Sequence, residues 1–248
     1  MTNPSHSGRP RGPVGLLSRA VVVLLLATLL GCASAPGEST VRNDPFEPFN
    51  RRVFAFNEAL DAAVVKPAAL TYQALLPVWL RTGIGNMFGN LGDAWTAVNL
   101  MLQAKPQQSL NMVMRTGLNT TFGLFGFLDV AEEAGLERVG YEDFGQTLGV
   151  WGIKSGPYLM LPLLGPSTLR DTAGKLLDVR DSGPALVLRQ PRDRNAATLV
   201  QLLDTRVWLF GAEKFINEIA LDKYVLVRDA YLARRRSLIY DGDPPEEE

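Results

Sequence analysis

Apolar residues recur at three- and four-residue intervals along most of the chain, the spacing of one face of an α-helix. Phe46, Phe49, Val53, Phe56, Leu60 and Val64 form the first such series, while Asn50, Arg51, Asn57, Glu58 and Asp61 fall elsewhere. Asp44 is placed to cap this helix, Pro45 suits its first position and Glu47 stands in capping-box register, with Pro48 allowing a later start. The Phe-rich stripe predicts a core-facing surface helix or, more sharply, one lying in a membrane interface. After breaks at Lys66-Pro67 and Leu76-Pro77, Trp79, Leu80, Ile84, Met87, Phe88, Leu91, Trp95, Val98 and Leu102 predict a second helix. Glycines 83, 85 and 89 weaken its continuity. Residues 107–119 predict a third helix carrying Leu110, Val113 and Met114, followed by the glycine-spaced apolar stretch 122–128. Further on, Ser167 is placed to cap a helix bearing Leu169, Ala173, Leu176 and Leu177. Pro184 and Pro191 bracket a short apolar piece. Residues 193–239 read as a long helical region, divisible at Gly211 and near 220–222, with Arg234, Arg235 and Arg236 suited to the negative pole of its dipole. The fold class is mostly α.

One stretch departs from this pattern. Residues 144–171, FGQTLGVWGIKSGPYLMLPLLGPSTLRD, are strongly apolar, yet Gly149, Gly152, Gly156, Pro157, Pro162, Gly165 and Pro166 interrupt them. No long helix survives that punctuation, and the prolines argue against a central strand. A glycine-hinged hairpin and a buried loop of an ordinary core both satisfy it.

The beginning of the chain reads as an address. Arg9, Arg11 and Arg19 form a basic region, residues 20–30 an apolar run too short to span a bilayer comfortably, and Leu29-Leu-Gly-Cys32 follows in the manner of a lipobox. Residues 1–31 are thus a lipoprotein signal peptide, and Cys32, the one cysteine of the chain, is the expected lipid-attachment residue. Ala33 in place of Asp points to the outer membrane by analogy. Residues 32–43 read as a flexible tether, 44–240 as a single folded domain, and 241–248 as a solvated acidic tail.

Composition then removes several chemistries. Without Arg9, Arg11 and Arg19, the 25 basic residues fall to 22 against 26 acidic ones, a net charge of −4 that disfavours nucleic-acid binding. His6 is the single histidine and leaves with the signal, so the mature chain holds no His-based catalytic or zinc site. The acid pairs Glu132-Glu133 and Glu142-Asp143 read as solvated, and no cofactor is expected. No stretch after residue 31 offers about 20 uninterrupted apolar residues for a membrane-crossing helix.

Three blocks carry a resemblance: Asn43-Asp-Pro-Phe-Glu-Pro-Phe-Asn-Arg51; Phe144-Gly-Gln-Thr-Leu-Gly149 with Gly156-Pro-Tyr158, Leu161-Pro162 and Thr168-Leu-Arg-Asp171; and Val225-Leu-Val-Arg-Asp-Ala-Tyr231. Ordered and spaced in this way, they resemble the MlaA (VacJ) family of Gram-negative outer-membrane lipoproteins. The resemblance implies a ring of amphipathic helices embedded in the inner leaflet of the outer membrane, with a central amphipathic channel and a mobile hairpin. It implies association with a trimeric porin and hand-over of phospholipid to the periplasmic carrier MlaC, removing phospholipid misplaced in the outer leaflet.

On that basis Gly149, Gly152 and Gly156 are expected to hinge the hairpin. Tyr158, Leu159, Leu161 and Leu163 are expected to face acyl chains, and Lys154, where the family often has glycine, or Arg170 to meet headgroup phosphate. The alternatives are a lipoprotein phospholipase, which would need a Ser-Lys or carboxylate site, and a structural envelope lipoprotein without a channel.

Overall fold

The structure, a computed structural model, describes residues 44–181 and 183–246. The signal peptide, Cys32 and the whole of the tether expected from the sequence lie outside the described residues. The domain is mostly helical: α1 (Glu47–Leu60) runs through a single π-turn (Asp61–Val65) into α2 (Lys66–Leu75), followed by α3 (Val78–Leu102), α4 (Pro106–Thr121), α5 (Val130–Glu133) and α6 (Phe144–Val150). Then come β1 (Tyr158–Leu161), β2 (Gly165–Thr168), α7 (Leu169–Asp181), α8 (Pro184–Val187), α9 (Pro191–Trp208), α10 (Phe210–Ile219) and α11 (Lys223–Ile239).

The stretch 144–171 resolves into a short helix and a hairpin. Asp143 starts α6 by accepting the Gln146 N–H at 2.8 Å. β1 and β2 pair antiparallel from Tyr158 opposite Thr168 to Leu161 opposite Gly165, with Leu163 (φ 66°) in the turn. Asn50 fixes the hairpin to α1: its side chain donates to the Tyr158 carbonyl at 3.1 Å and accepts from the Met160 N–H at 2.9 Å. α7 crosses α6 at Gly174, where a Cβ would come within 2.7 Å of the Gly145 backbone, so these helices touch main chain to main chain.

The distribution of polarity is inverted. Among the described residues, buried polar and charged side chains outnumber buried apolar ones. Small apolar clusters form around Val53, Tyr158, Met160 and Tyr224, and around Ala97, Leu100 and Met112. Meanwhile Phe46, Phe49, Phe56, Val64, Trp79, Leu110, Val113, Phe122, Phe125 and Leu221 are exposed. The Phe-rich face of α1 therefore does not face a core. Its buried residues are Asn50 and Val53, and the core-facing reading is corrected. The same holds for α4, which buries Ser109, Met112, Arg115 and Asn119 and turns Leu110, Val113 and Met114 outward. Exposed apolar patches of this extent mark a surface matched to an apolar medium or partner.

Several local expectations change for the same reason. α3 is continuous through its glycines, because Gly83, Gly85 and Gly89 sit beneath side chains from neighbouring segments. Asp44 is no helix cap: it is buried, accepts from Asn50 at 2.8 Å and from the Tyr224 hydroxyl, and lies 3.6 Å from Arg228. Thr168, not Ser167, caps α7, accepting the Asp171 N–H at 3.2 Å. Glu142 and Asp143 are not a solvated pair, since Glu142 is buried and accepts from Gln103 at 2.9 Å, while Asp143 binds Arg235 at 2.6 Å. Arg235 thus works inside the fold, bridging Asp143 and Asp171. At the tail, Asp241 pairs with Lys105 at 2.5 Å.

Candidate functional site

A cavity of about 1110 Å³ lies within the domain. One wall is a face of α3 that carries Thr82, Gly85, Asn86, Gly89, Gly92 and Asp93. Residues 138–141, Leu176 of α7, residues 183–185 and the inner side of α9 from Arg194 to Trp208 complete it. The α3 wall is a repeat in its own right, with small and polar residues at 82, 85, 86, 89, 92 and 93 on the helical spacing, beside Phe88. Apolar spacing in α3 drew attention to the opposite face, and the polar stripe was the signal that sequence reasoning missed.

Charges are held at this wall by paired networks. Arg115, fully buried, donates two hydrogen bonds to the Asp129 carboxylate at 2.7 and 2.9 Å and one to the Leu136 carbonyl, and lies 3.6 Å from Asp93. Arg138 reaches Asp93 at 3.0 Å and Asp129 at 3.7 Å, with its side chain 40% exposed. Asn119 donates to Asp129 at 2.9 Å and accepts the Ala131 N–H at 2.9 Å, tying the cluster to the start of α5. Burial pushes Asp93 up from the usual carboxylate range, against the pull of Arg138 and Arg115. Asp129 moves the other way: burial alone would raise it, but the hydrogen bond from Asn119 and the Arg115 charge hold it below the usual carboxylate range.

At α9, Asp204 is only 5% exposed and accepts from the Tyr72 hydroxyl at 3.0 Å. Burial raises its pKa, countered in part by Tyr72, Arg81 and the Trp208 side chain. Tyr72 is pushed up to about 12 by burial and by the adjacent Asp204 carboxylate. The cavity is therefore amphipathic, with glycine and aromatic surface beside fixed charges of both signs.

The residues expected from the sequence gather at the hairpin, and none of them lines this cavity. Gly149 lies inside α6, where a Cβ would meet Ile239 at 2.8 Å and Arg170 at 2.9 Å. Gly152 (φ 86°) and Gly156 (φ 67°) occupy left-handed backbone on either side of the exposed Lys154. Tyr158 is fully buried, packed edge-on to Tyr224 and Tyr231 with ring centres 6.2 and 6.3 Å away, so it faces protein rather than acyl chains. Leu159 and Leu161 are half-buried and Leu163 is exposed. Arg170 is buried and bonded to Asp171 at 2.9 Å and to the Ile153 carbonyl at 3.3 Å, which engages it within the fold instead of at a headgroup.

Comparison with known proteins adds three findings. The family model described as MlaA lipoprotein matches residues 42–238. Proteins named intermembrane phospholipid transport system lipoprotein MlaA are 36% identical in Escherichia coli (strain K12), over 92% of this chain and 90% of the relative, and 28% identical in Haemophilus influenzae, over 91% and 92%. A solved structure described under "Structural basis for maintenance of bacterial outer membrane lipid asymmetry" superposes with a TM-score of 0.71 at 34% identity, covering 80% of this chain and all of the other.

Proposed function

The chain belongs to the MlaA lipoprotein family, and from that premise we propose that it is an outer-membrane lipoprotein of intermembrane phospholipid transport that maintains outer-membrane lipid asymmetry. In this reading it is anchored through Cys32 in the inner leaflet, draws misplaced phospholipid from the outer leaflet through its central cavity, and passes it to the periplasmic carrier MlaC beside a trimeric porin. One observation carries it: a charged, glycine-walled cavity, open on one side and lined largely by helices, in a domain whose outward helix faces are apolar.

The physics supports that use. A headgroup in hydrocarbon loses its hydrogen bonds, at a cost of several kcal/mol per unsatisfied group. Asp93, Arg138, Arg194 and Asp204 offer it a polar path, while Phe46, Phe49, Phe122 and Phe125 present apolar surface suited to acyl chains. Each methylene drawn into water costs about 0.8 kcal/mol, so the acceptor must meet the cavity mouth closely. The hairpin glycines Gly152 and Gly156 remain the proposed hinges, with Leu163 and Lys154 facing outward between α6 and the β2 strand.

The test is surface phospholipid on intact cells with the gene deleted and then restored. Deletion is expected to raise it, the intact gene to reverse the rise, and Cys32→Ala or the cavity-filling Thr198→Trp to fail although the protein is made. Full reversal by both variants would remove the anchor and the cavity from the mechanism.

A further inference from the structure

Two charges of opposite sign stand over neighbouring glycines of α3. A Cβ added at Gly85 would lie 3.1 Å from Asp204 Oδ2, and one added at Gly89 would lie 3.1 Å from Arg138 Nη2. These glycines are four residues apart on one helix face, about 6 Å along the axis. The cavity wall therefore presents an acid and a base one turn apart, each brought close because the helix has no side chain there.

Their surroundings differ. The Arg138 guanidinium gives Nε to Asp93, and its Nη2, 3.7 Å from Asp129, stands over Gly89 at the cavity. Arg194 also lines the cavity. Asp204 is hydrogen-bonded by neutral donors, the Tyr72 hydroxyl and the Trp208 side chain; Arg81 acts on it only from beyond ion-pair distance, and among the described residues no cation pairs with it directly. A buried carboxylate so placed is stabilised by any cation that can reach it, more than an exposed one would be. Trp208 adds an aromatic surface beside it, of the kind that also attracts a cation.

Resting on the transport reading above, we infer that the cavity selects phospholipids whose headgroup carries an amine over those whose headgroup is only anionic, with phosphate at Arg138 and the amine at Asp204. An ethanolamine headgroup separates its phosphate and ammonium by two carbons, a span of the same order as one helical turn. A glycerol headgroup satisfies Arg138 equally through its phosphate but brings no positive charge to Asp204.

The experiment is competition on the full mature lipoprotein in detergent, offered equimolar phosphatidylethanolamine and phosphatidylglycerol with matched acyl chains, with bound lipid counted by native mass spectrometry. The wild type is expected to retain the ethanolamine lipid by about tenfold, the scale of one charge-assisted hydrogen bond. Asp204→Asn brings the ratio near one by losing the ethanolamine lipid alone, whereas Arg138→Gln lowers both lipids together. Gly85→Ala, which keeps every charge and suits a helix, also reduces the ratio by crowding the carboxylate, and it serves if the Asp204 variant does not fold. Equal retention of both lipids by the wild type overturns the selection while leaving lipid binding intact. Retention of neither overturns the transport reading as well, and an unchanged ratio in both Asp204→Asn and Gly85→Ala overturns the role of Asp204.

Discussion

Two buried clusters place large side chains out of contact with solvent by opposite means. Arg115 is held by the Asp129 carboxylate and the Leu136 carbonyl with Asp93 at 3.6 Å, and Asn119 braces Asp129 behind it. In the hairpin, Tyr158 is enclosed by Val53, Met160, Tyr224 and Tyr231, and its hydroxyl has no hydrogen-bond partner among the described residues. Charges there stand at the edge, with Asp44 on Tyr224 and Asp171 on Tyr231. The first cluster is specified by pairing and the second by shape, and the first adjoins the cavity.

The contrast breaks most sharply at Arg115. Arg115→Met removes the one fully buried cation paired with Asp93 and Asp129, leaving them only the part-exposed Arg138, and is expected to cost about 3–5 kcal/mol, seen as a large fall in thermal midpoint in detergent. A fall of under 1 kcal/mol would mean that pairing does not hold that region. In the other cluster, Met160→Ala removes packing only, with an expected loss of about 2–5 kcal/mol by the same measurement. Thr168→Ala should cost about 1 kcal/mol by removing the α7 cap, and Ser167→Ala less than that. Tyr158→Phe is the smallest: deleting a buried hydroxyl with no partner among the described residues should leave stability unchanged or slightly raised, and a loss above 1 kcal/mol would reveal a partner for it.

Acid acts on both clusters, since Asp129 in the first is also held below the usual carboxylate range. Burial raises Asp171, but Arg235, Tyr231 and Arg170 outweigh it and hold it below the usual carboxylate range. A depressed folded value means that its stabilisation is present above the unfolded carboxylate pKa and is lost as pH falls through the lower folded value. Asp171→Asn should therefore lower stability at neutral pH and flatten its decline in acid, measured as thermal midpoint against pH.

Much of the helical framework was legible, because spacing survives whichever way a helix faces. The break before α3, the extent of α4 and the division of 193–239 near Leu209 and Ala220 follow from proline, glycine and periodicity, whereas at Lys66-Pro67 the chain does not break but continues from α1 into α2 through the π-turn. What periodicity does not report is the medium on each side. Phe46, Phe49 and Phe56 make the same pattern against a core as against lipid, so direction had to come from three-dimensional burial. The partners of Asp44, Asp143 and Arg235 lie up to 180 residues away, and no local signal announces them. The cavity wall was present in α3 as a polar stripe, but Asp204 and Arg138 join it only through the fold.

The outward apolar side chains have a thermodynamic consequence. When this domain unfolds in detergent, Phe46, Phe56, Phe122, Phe125 and Leu221 exchange one covered apolar environment for another, so little new apolar surface meets water. The heat-capacity increment of unfolding should then fall below the ordinary value of about 12–15 cal/mol/K per residue. Its stability curve should be correspondingly broad, with the temperature of maximum stability poorly defined and cold denaturation pushed far from any accessible range.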